Sequence, residues 1–590
     1  MTSRTSFYNA TILKKNLARF WPFMALCAFI GFLLLPASME AHDNYSVVGS
    51  IGTQVAHILP LLIVGYATVC AVCVFGYLHK SRSSNMLHAL PLTRSSLFVS
   101  NLLSGFLLFL LPWFVICLIS LFILAGNGLD VCIVLSIFAV GIMEFLFFYA
   151  LAVFCMFLCG KTAYGVLTYL FLNVVVFYTE MLVWAAVEPF LFGINVEWGT
   201  LSEFSPIVYF MEHTAWGVND KISFYANFPD VNLYCDWGYL GILSAVGIVL
   251  LALAWLLYRK RNMENVGEMV AYPYLRPVFR IVLAFFSALA LGLLITAVLF
   301  PEGVSQNTAI GMHLAMLIGG FIGYFGVEMI LRKTTRVFQG KTFLRYGLFA
   351  VALSLMLFAV RFDWLNIVGY VPNECKRVTL RYTPGPYDSH DSFVLSDSES
   401  IDTIRTLHQK IVDNRDTART YRSYSDACPD YHVEFIYELE DGDTVKRSYI
   451  ISGNTAIAAQ QEIFKDFSNF IHSNQATLGF IRSLKVSDTC EILAVQHETG
   501  TGYILDKKHF SALCEAMERD ATEGLLDIAS FQRVGTTTDR IRPKDGYLIG
   551  CGTYHRTGSE DCYFPYIFIP NTATNSYSLL TELLEKPQQP

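Results

Sequence analysis

Charged residues are scarce in this chain. Of its 590 residues, 15% are Asp, Glu, Lys or Arg, whereas 54% are hydrophobic, and the mean hydropathy is +0.44. Soluble globular proteins carry about 25% charged residues. The composition therefore excludes a chain that is soluble throughout, and it equally excludes disordered and collagen-like chains, which are poor in apolar residues.

Motifs of covalent chemistry are missing as well. The chain has no HExxH, no GxSxG, no GxGxxG and no pair of CxxC sequences with zinc spacing. Gly160 and Gly340 each precede Lys-Thr, as in a phosphate-binding loop, but Cys155 and Thr335 stand where that motif needs its first glycine. We therefore expect a protein that is not an enzyme, holds no metal or cofactor, and binds no nucleic acid, since its basic residues are dispersed.

What the chain has in abundance is long apolar runs. A helix needs about 20 apolar residues to cross a bilayer, and nine runs qualify: 20–38, 54–78, 97–124, 131–158, 163–189, 238–258, 280–300, 308–331 and 343–361. These runs predict an α-helical polytopic membrane protein with about nine spans. The loop 190–237 leaves room for a re-entrant piece, around Pro189–Ile194 or Pro206–Met211.

Lys and Arg residues separate cleanly between alternate loops. Such residues resist transfer across the membrane and mark the cytoplasmic side. One side holds nearly all of them: Arg4, Lys14, Lys15, Arg19, Lys80, Arg82, Arg94, Lys161, Arg259, Lys260, Arg261, Arg276, Arg280, Arg332, Lys333, Arg336, Lys341 and Arg345. The pattern predicts a cytoplasmic N-terminus and, after nine crossings, a C-terminal region outside.

The C-terminal region has the composition of a soluble domain. Residues 362–590 hold 22 Lys and Arg against 33 Asp and Glu, whereas residues 1–361 hold 20 against 16. The region predicts an α+β fold, with strands at 377–382, 431–439, 444–451 and 563–569 and helices at 400–412, 456–470 and 508–519. The turn between the second and third strands contains Asp441-Gly442, a pair typical of hairpins. Six cysteines permit three disulfides or remain buried thiols.

Two basic segments of the cytoplasmic side suggest contacts outside the bilayer. Residues 1–19 carry Leu13 and Leu17 at helical spacing beside lysines, which indicates an amphipathic helix on the inner leaflet or a solvated lead-in. In the loop after the second run, Ser83 or Ser84 is a candidate cap of a short helix that Pro91 ends. Its apolar side chains would favour a partner protein or, alternatively, lipid headgroups; they are Met86, Leu87 and Leu90.

This arrangement resembles the ABC type-2 permease superfamily. The resemblance rests on the basic N-terminal segment, two spans, the loop Met86–Arg94 with the sequence Met-Leu-His-Ala-Leu-Pro-Leu-Thr-Arg, and six spans with a longer outer segment between the fifth and sixth. It implies a permease core at 20–260, preceded by an amphipathic helix at 1–19. In this chain three further spans at 261–361 and an exported domain at 362–590 follow the core. These last two parts depart from the minimal six-span pattern.

The resemblance implies a function and partners. The chain would be a bacterial plasma-membrane permease that pairs with itself or with a related permease, and a cytoplasmic ATPase subunit would bind the ATP. The coupling loop that docks the ATPase would comprise Arg82, Met86, Leu87, Leu90, Pro91 and Arg94. The alternative is a receptor whose exported domain binds a peptide or envelope ligand and signals inward.

Three polar residues within the spans form a possible substrate path. Charges near the bilayer centre are costly and therefore face protein or water. Glu144 lies near the middle of the fourth run, and Asn173 and Glu180 lie in the fifth. The competing interpretation of Glu144 is a protonated carboxyl that donates one hydrogen bond to a neighbouring helix.

Overall fold

A computed structural model describes most of the chain. The described residues are 8–38, 44–89, 91–126, 132–194, 199–212, 236–261, 266–301, 308–384, 391–415, 430–452, 458–486, 492–496, 502–505, 507–526, 546–552 and 566–585. They divide into two compact units. Unit 1 comprises residues 1–186 and 197–354, and unit 2 comprises residues 187–196 and 355–590.

Nine helices among the described residues are long and apolar enough to cross a membrane. They are α1 Ala10–Leu34, α2 Asn44–Phe75, α4 Arg94–Gly126, α5 Cys132–Leu158, α6 Thr162–Val187, α8 Trp237–Lys260, α9 Arg276–Leu299, α10 Ala309–Arg332 and α11 Gly340–Arg361. Each coincides with one of the nine apolar runs. The architecture confirms the helical prediction and is consistent with a polytopic membrane protein.

The first helix differs from the sequence-based expectation. We expected a separate amphipathic segment before the first span, but α1 runs without a break from Ala10 to Leu34. Its N-cap is Asn9, whose side chain accepts hydrogen bonds from Thr11 N and Ile12 N. Asn16 Nδ2 donates to Asn101 Oδ1 of α4 at 2.8 Å. This polar contact explains the difference, because it turns one face of the basic segment toward another helix.

Two shorter α-helices of unit 1 lie within the described residues. They are α3 Ser81–His88 in the loop after α2 and α7 Pro206–Glu212 in the loop after α6. With seven residues, α7 is far too short to cross a bilayer. Around Pro189, the other suggested re-entrant piece, the chain forms the short 3₁₀ helix Glu188–Phe190.

The helices of unit 1 pack through aromatic and small side chains. Phe109 of α4 stacks on Phe145 of α5 with ring centroids 4.1 Å apart. At Gly319 of α10, an added Cβ would lie 2.7 Å from the backbone nitrogen of Gly292 in α9. Glycine at this position therefore permits the close approach of α9 and α10.

The described residues of unit 2 contain two antiparallel sheets and five α-helices. In chain order its elements are β1 Arg377–Pro384, β2 Asp391–Leu395, α12 Ser398–Asp413, β3 Asp430–Glu438, β4 Thr444–Ser452, α13 Ala458–Ile471, α14 Asn474–Val486, β5 Ile492–Gln496, β6 Gly502–Leu505, α15 Lys507–Thr522, β7 Gly546–Gly552, β8 Tyr566–Pro570 and α16 Thr574–Glu585. The sheet orders are β2-β1-β3-β4 and β6-β5-β7-β8. Buried side chains of both sheets and all five helices form one apolar core.

The sequence predicted about half of these elements. Strands β1, β3, β4 and β8 and helices α12, α13 and α15 lie within a few residues of their expected positions. Gly442 has φ +92° in the hairpin turn, as the Asp-Gly pair indicated. The remaining strands and helices were not predicted. Cys375 is an unbridged thiol, and Cys428, Cys490 and Cys562 lie outside the described residues.

Candidate functional site

The predicted coupling loop contains an eight-residue helix, α3. It begins at Ser81 after the extended residue Lys80, which makes no side-chain cap. The expectation that Ser83 or Ser84 caps it is wrong, because both lie inside the helix and Ser84 is buried. The helix ends at His88, before Pro91.

The apolar residues of α3 are unequally exposed. Met86 is 67% exposed, and Leu87 is half-buried. Arg82 and Pro91 are exposed too, whereas Leu90 lies outside the described residues. Met86 is one of many exposed large apolar side chains of the described residues, and on this short helix between two candidate spans it is accessible to another protein or to lipid.

The base of α3 is fixed by a buried histidine. His79 hydrogen-bonds through Nε2 to Met156 O at 2.9 Å and through Nδ1 to Thr162 Oγ1 at 3.1 Å. Met156 lies near the end of α5, and Thr162 begins α6. The loop is therefore held against the α5–α6 turn.

Two arginines hold the ends of neighbouring helices on the same face. Arg94 donates to the carbonyl oxygen of Arg259 at 3.1 Å, at the end of α8. Arg261 is buried and donates to Met156 O at 3.2 Å and Phe157 O at 3.4 Å. Cations suit helix C-termini, where carbonyl groups lack partners. Arg94, which we expected to flank the docking surface, thus also positions α8.

A short segment before α9 completes this face. Gly267 N donates to Gly160 O at 2.7 Å, and Gly160 N donates to Glu268 O at 3.0 Å. The Glu268 carboxylate pairs with Arg276 at 3.3 Å and with Lys333 at 2.8 Å. The predicted loop therefore belongs to a hydrogen-bonded surface that joins the ends of α5, α6, α8, α9 and α10.

The three predicted polar residues of the spans have separate environments. Glu144 is 3% exposed, and its Oε2 has no hydrogen-bond partner in the described part of the chain. Asn173 donates to Tyr169 O at 2.8 Å, within its own helix. Glu180 accepts from Leu201 N at 3.0 Å and from the Thr200 hydroxyl. No hydrogen bond between described residues joins the three.

A buried ion-pair cluster that we did not predict lies between α9 and α10. Glu328 is 1% exposed and pairs with Arg280 at 2.7 Å and with Arg332 at 2.6 Å. Arg280 also lies over the ring of Tyr324, 5.7 Å from its centroid. The two arginines explain how a buried carboxylate is accommodated between these helices.

In unit 2, residues that follow α6 contact the edge strand β4 of the first sheet. Ser448 N, on β4, donates to Gly193 O at 2.8 Å, and Phe192 packs on the Tyr449 ring with centroids 5.1 Å apart. Gly193 has φ +78°, and an added Cβ would lie 2.2 Å from that ring. The segment therefore requires glycine at this position.

Tyr449 also belongs to a buried polar cluster. His408 of α12 hydrogen-bonds through Nδ1 to the Tyr437 hydroxyl and through Nε2 to the Tyr449 hydroxyl, both at 2.8 Å. Burial, together with the charge of Arg447, lowers the pKa of His408 to about 3. The imidazole is therefore neutral at physiological pH and connects α12 to strands β3 and β4.

No cluster of three or more His, Cys, Asp or Glu side chains suited to a metal occurs among the described residues. No family model, curated protein or solved structure matches the chain.

Proposed function

We propose that the chain is the membrane-spanning permease subunit of an ABC transporter that exports a substrate. A separate cytoplasmic ATPase subunit would bind the ATP. The permease would act as a pair, with a second copy or a related chain. One observation carries the proposal: α3, in a loop whose sequence resembles a coupling helix, projects Met86 from a base that is hydrogen-bonded to α5 and α6.

The hydrogen bonds at the start of α3 would allow it to transmit force to neighbouring helices. Docking of an ATPase on Met86 would move the loop, and the His79 contacts would carry that movement to the turn at Thr162. Helix α6, which begins at Thr162, contains Asn173 and Glu180. Hydrolysis would thereby alter the path between the helices and shift the equilibrium between inward- and outward-open states.

The proposed orientation has a cytoplasmic N-terminus and an exported C-terminal domain in the bacterial plasma membrane. It is supported by the basic loops and by the contact of Gly193 with β4. Four candidate spans, α8 to α11, separate residue 194 from unit 2's first strand. An even number of crossings returns the chain to the same side.

The test is purification of the tagged protein from its native membranes, with the substitution Met86→Asp. A charged carboxylate at this exposed position should abolish an apolar docking contact, so we expect a nucleotide-hydrolysing subunit with the wild type and its loss with the variant. Tyr274→Asp is the matched control, since Tyr274 is 65% exposed and is predicted to lie on the same side of the membrane.

Two results would contradict the proposal. One is the absence of any ATPase from the wild-type preparation in mild detergent. The other is full retention of the ATPase by Met86→Asp. If Tyr274→Asp lost the ATPase to the same extent, the added charge and not the site would account for the effect.

A further inference from the structure

A groove lies in unit 2 along helix α12. One wall is the outer face of α12, and the other is the end of α13 with the turn into α14. The cavity measures about 610 Å³, within the range of about 300–1,000 Å³ that is usual for small-ligand sites. Its apolar floor consists of Leu407 and Phe470, each 5% exposed.

The polar groups of the groove are mainly hydrogen-bond acceptors. The Thr403 hydroxyl donates its proton to Glu399 O, and the Thr406 hydroxyl donates to Asp402 O, both at 2.8 Å. Each hydroxyl therefore presents lone pairs to the groove. With the neighbouring carboxylates, these oxygens create a surface that suits a ligand rich in N–H groups.

The charge of the groove is negative. Three carboxylates line it, from Glu399, Asp402 and Asp466, against one ammonium group, from Lys410. That ammonium is already engaged by Asp466 at 2.5 Å. Asp402 pairs with Arg405 of its own helix at 3.1 Å. Glu399 forms no ion pair with any described residue, so its charge is available to a ligand.

The groove adjoins the polar cluster of His408. Leu407 and His408 are consecutive residues of α12, and His408 is bonded to Tyr449, the ring on which Phe192 packs. A displacement of α12 by a ligand would be carried to the segment that contains Gly193 and follows α6. The site is thus placed next to the element of unit 2 that continues from a span.

We propose that this groove binds a short basic peptide. An ammonium or guanidinium group of the peptide would bind Glu399, and a second would share the Asp402 carboxylate with Arg405. An apolar side chain would cover Leu407 and Phe470. Acidic and acceptor-rich walls around an apolar floor match that combination of charge and shape. The inference goes beyond the transporter function and does not depend on it, because binding requires no ATPase.

The experiment measures binding of the tripeptide amide Lys-Phe-Lys to the full-length protein in zwitterionic nanodiscs by calorimetry. We expect saturable binding that weakens with added salt, and none of the neutral analogue Gln-Phe-Gln amide. Empty nanodiscs give the contribution of the lipid. An exposed ion pair is worth up to about 1 kcal/mol, so Glu399→Gln should raise Kd about three- to five-fold.

The matched control is Glu440→Gln, which removes the same charge from the exposed β3–β4 turn, outside the groove. Its Kd should equal that of the wild type. The double variant Glu399→Gln with Asp402→Asn should raise Kd roughly tenfold. Equal Kd values for all variants, or no binding in the millimolar range, would overturn the proposal. Glu399, Asp402 and Glu440 are all exposed, and a thermal melt verifies that each variant remains folded.

Discussion

The two sheets of unit 2 have the same topology but different helix pairs. In each, two strands, a helix, two further strands and a helix follow in that order, and the strand orders β2-β1-β3-β4 and β6-β5-β7-β8 correspond. In the first half, the pair α12 and α13 is bridged by Lys410 at the edge of the groove. In the second, α15 and α16 are joined by a buried carboxylate.

That carboxylate belongs to Asp520, which is fully buried. It accepts from Asn575 N at 3.0 Å and from Ser576 N at 2.7 Å, at the start of α16. The Asn575 amide and the Ser576 hydroxyl donate to it as well. The second helix pair is thus joined through a buried carboxylate, whereas the first is bridged by an exposed ion pair beside the groove.

The largest expected effect comes from Asp520→Ala. The substitution leaves the first backbone amides of α16 without their acceptor, and bonds to a buried charge are each worth about 1.5–3 kcal/mol. We expect β7 and β8 to lose at least about 3 kcal/mol of protection, measured by hydrogen exchange of the full-length protein. Lys410→Met is the counterpart in the first half, and loss of its exposed pair should cost less than about 1 kcal/mol. Equal losses of protection in the two variants would contradict the difference between the two helix pairs.

A smaller effect is expected of Gly193→Ala. The new methyl group would meet the Tyr449 ring, and φ +78° is unfavourable for alanine, so we expect a local loss of about 2–3 kcal/mol. Hydrogen exchange at Ser448 should accelerate, while β7 and β8 remain unchanged. Gly442→Ala separates the two causes, since Gly442 has φ +92° but no atom lies within 4 Å of an added Cβ. Its effect should be about 1 kcal/mol; an equal effect at both sites would exclude a role for the ring.

The third expected effect is a pH dependence of stability, and it concerns only the first half of unit 2, which contains His408. The pKa of His408 is lowered to about 3 in the folded domain, whereas an unfolded histidine has a pKa near 6.5. Below about pH 6.5 the unfolded state therefore binds a proton that the folded state does not. The free energy of unfolding consequently decreases as the pH is lowered. Between pH 7.5 and pH 5 this histidine accounts for a loss of about 2 kcal/mol.

Thermal melts of the wild type and His408→Gln at the two pH values measure this contribution. The fall in melting temperature should be smaller in the variant, because glutamine does not titrate. An identical fall in both proteins would show that His408 contributes nothing to the pH dependence.

The sequence predicted the elements that short-range patterns determine. Apolar runs of sufficient length indicated all nine long helices, and helical spacing in Ile404, Leu407 and Ile411 indicated α12. Short strands such as β2 and β6 were missed, because four or five residues hold too little alternation to distinguish a strand from a loop.

Long-range contacts were beyond what the sequence could indicate. Nothing near Gly193 suggests a strand-edge partner in β4, and Asp520 has the pattern of one more acid on a solvated helix face. At the coupling loop the sequence predicted a short helix, but its start depends on His79, whose partners lie in α5 and α6. Such positions are determined by tertiary packing and not by local preference.

The contact between Gly193 and β4 also bears on how the chain is assembled. The glycine segment is synthesised long before β4, with four candidate spans between them. A chain that inserted one of those spans wrongly would place the two on opposite faces of the bilayer, and the edge of the first sheet would remain uncovered. In the proposed topology, the contact of Gly193 with β4 would therefore form only in a correctly inserted chain, and its loss would expose the edge of β4 to aggregation or proteolysis.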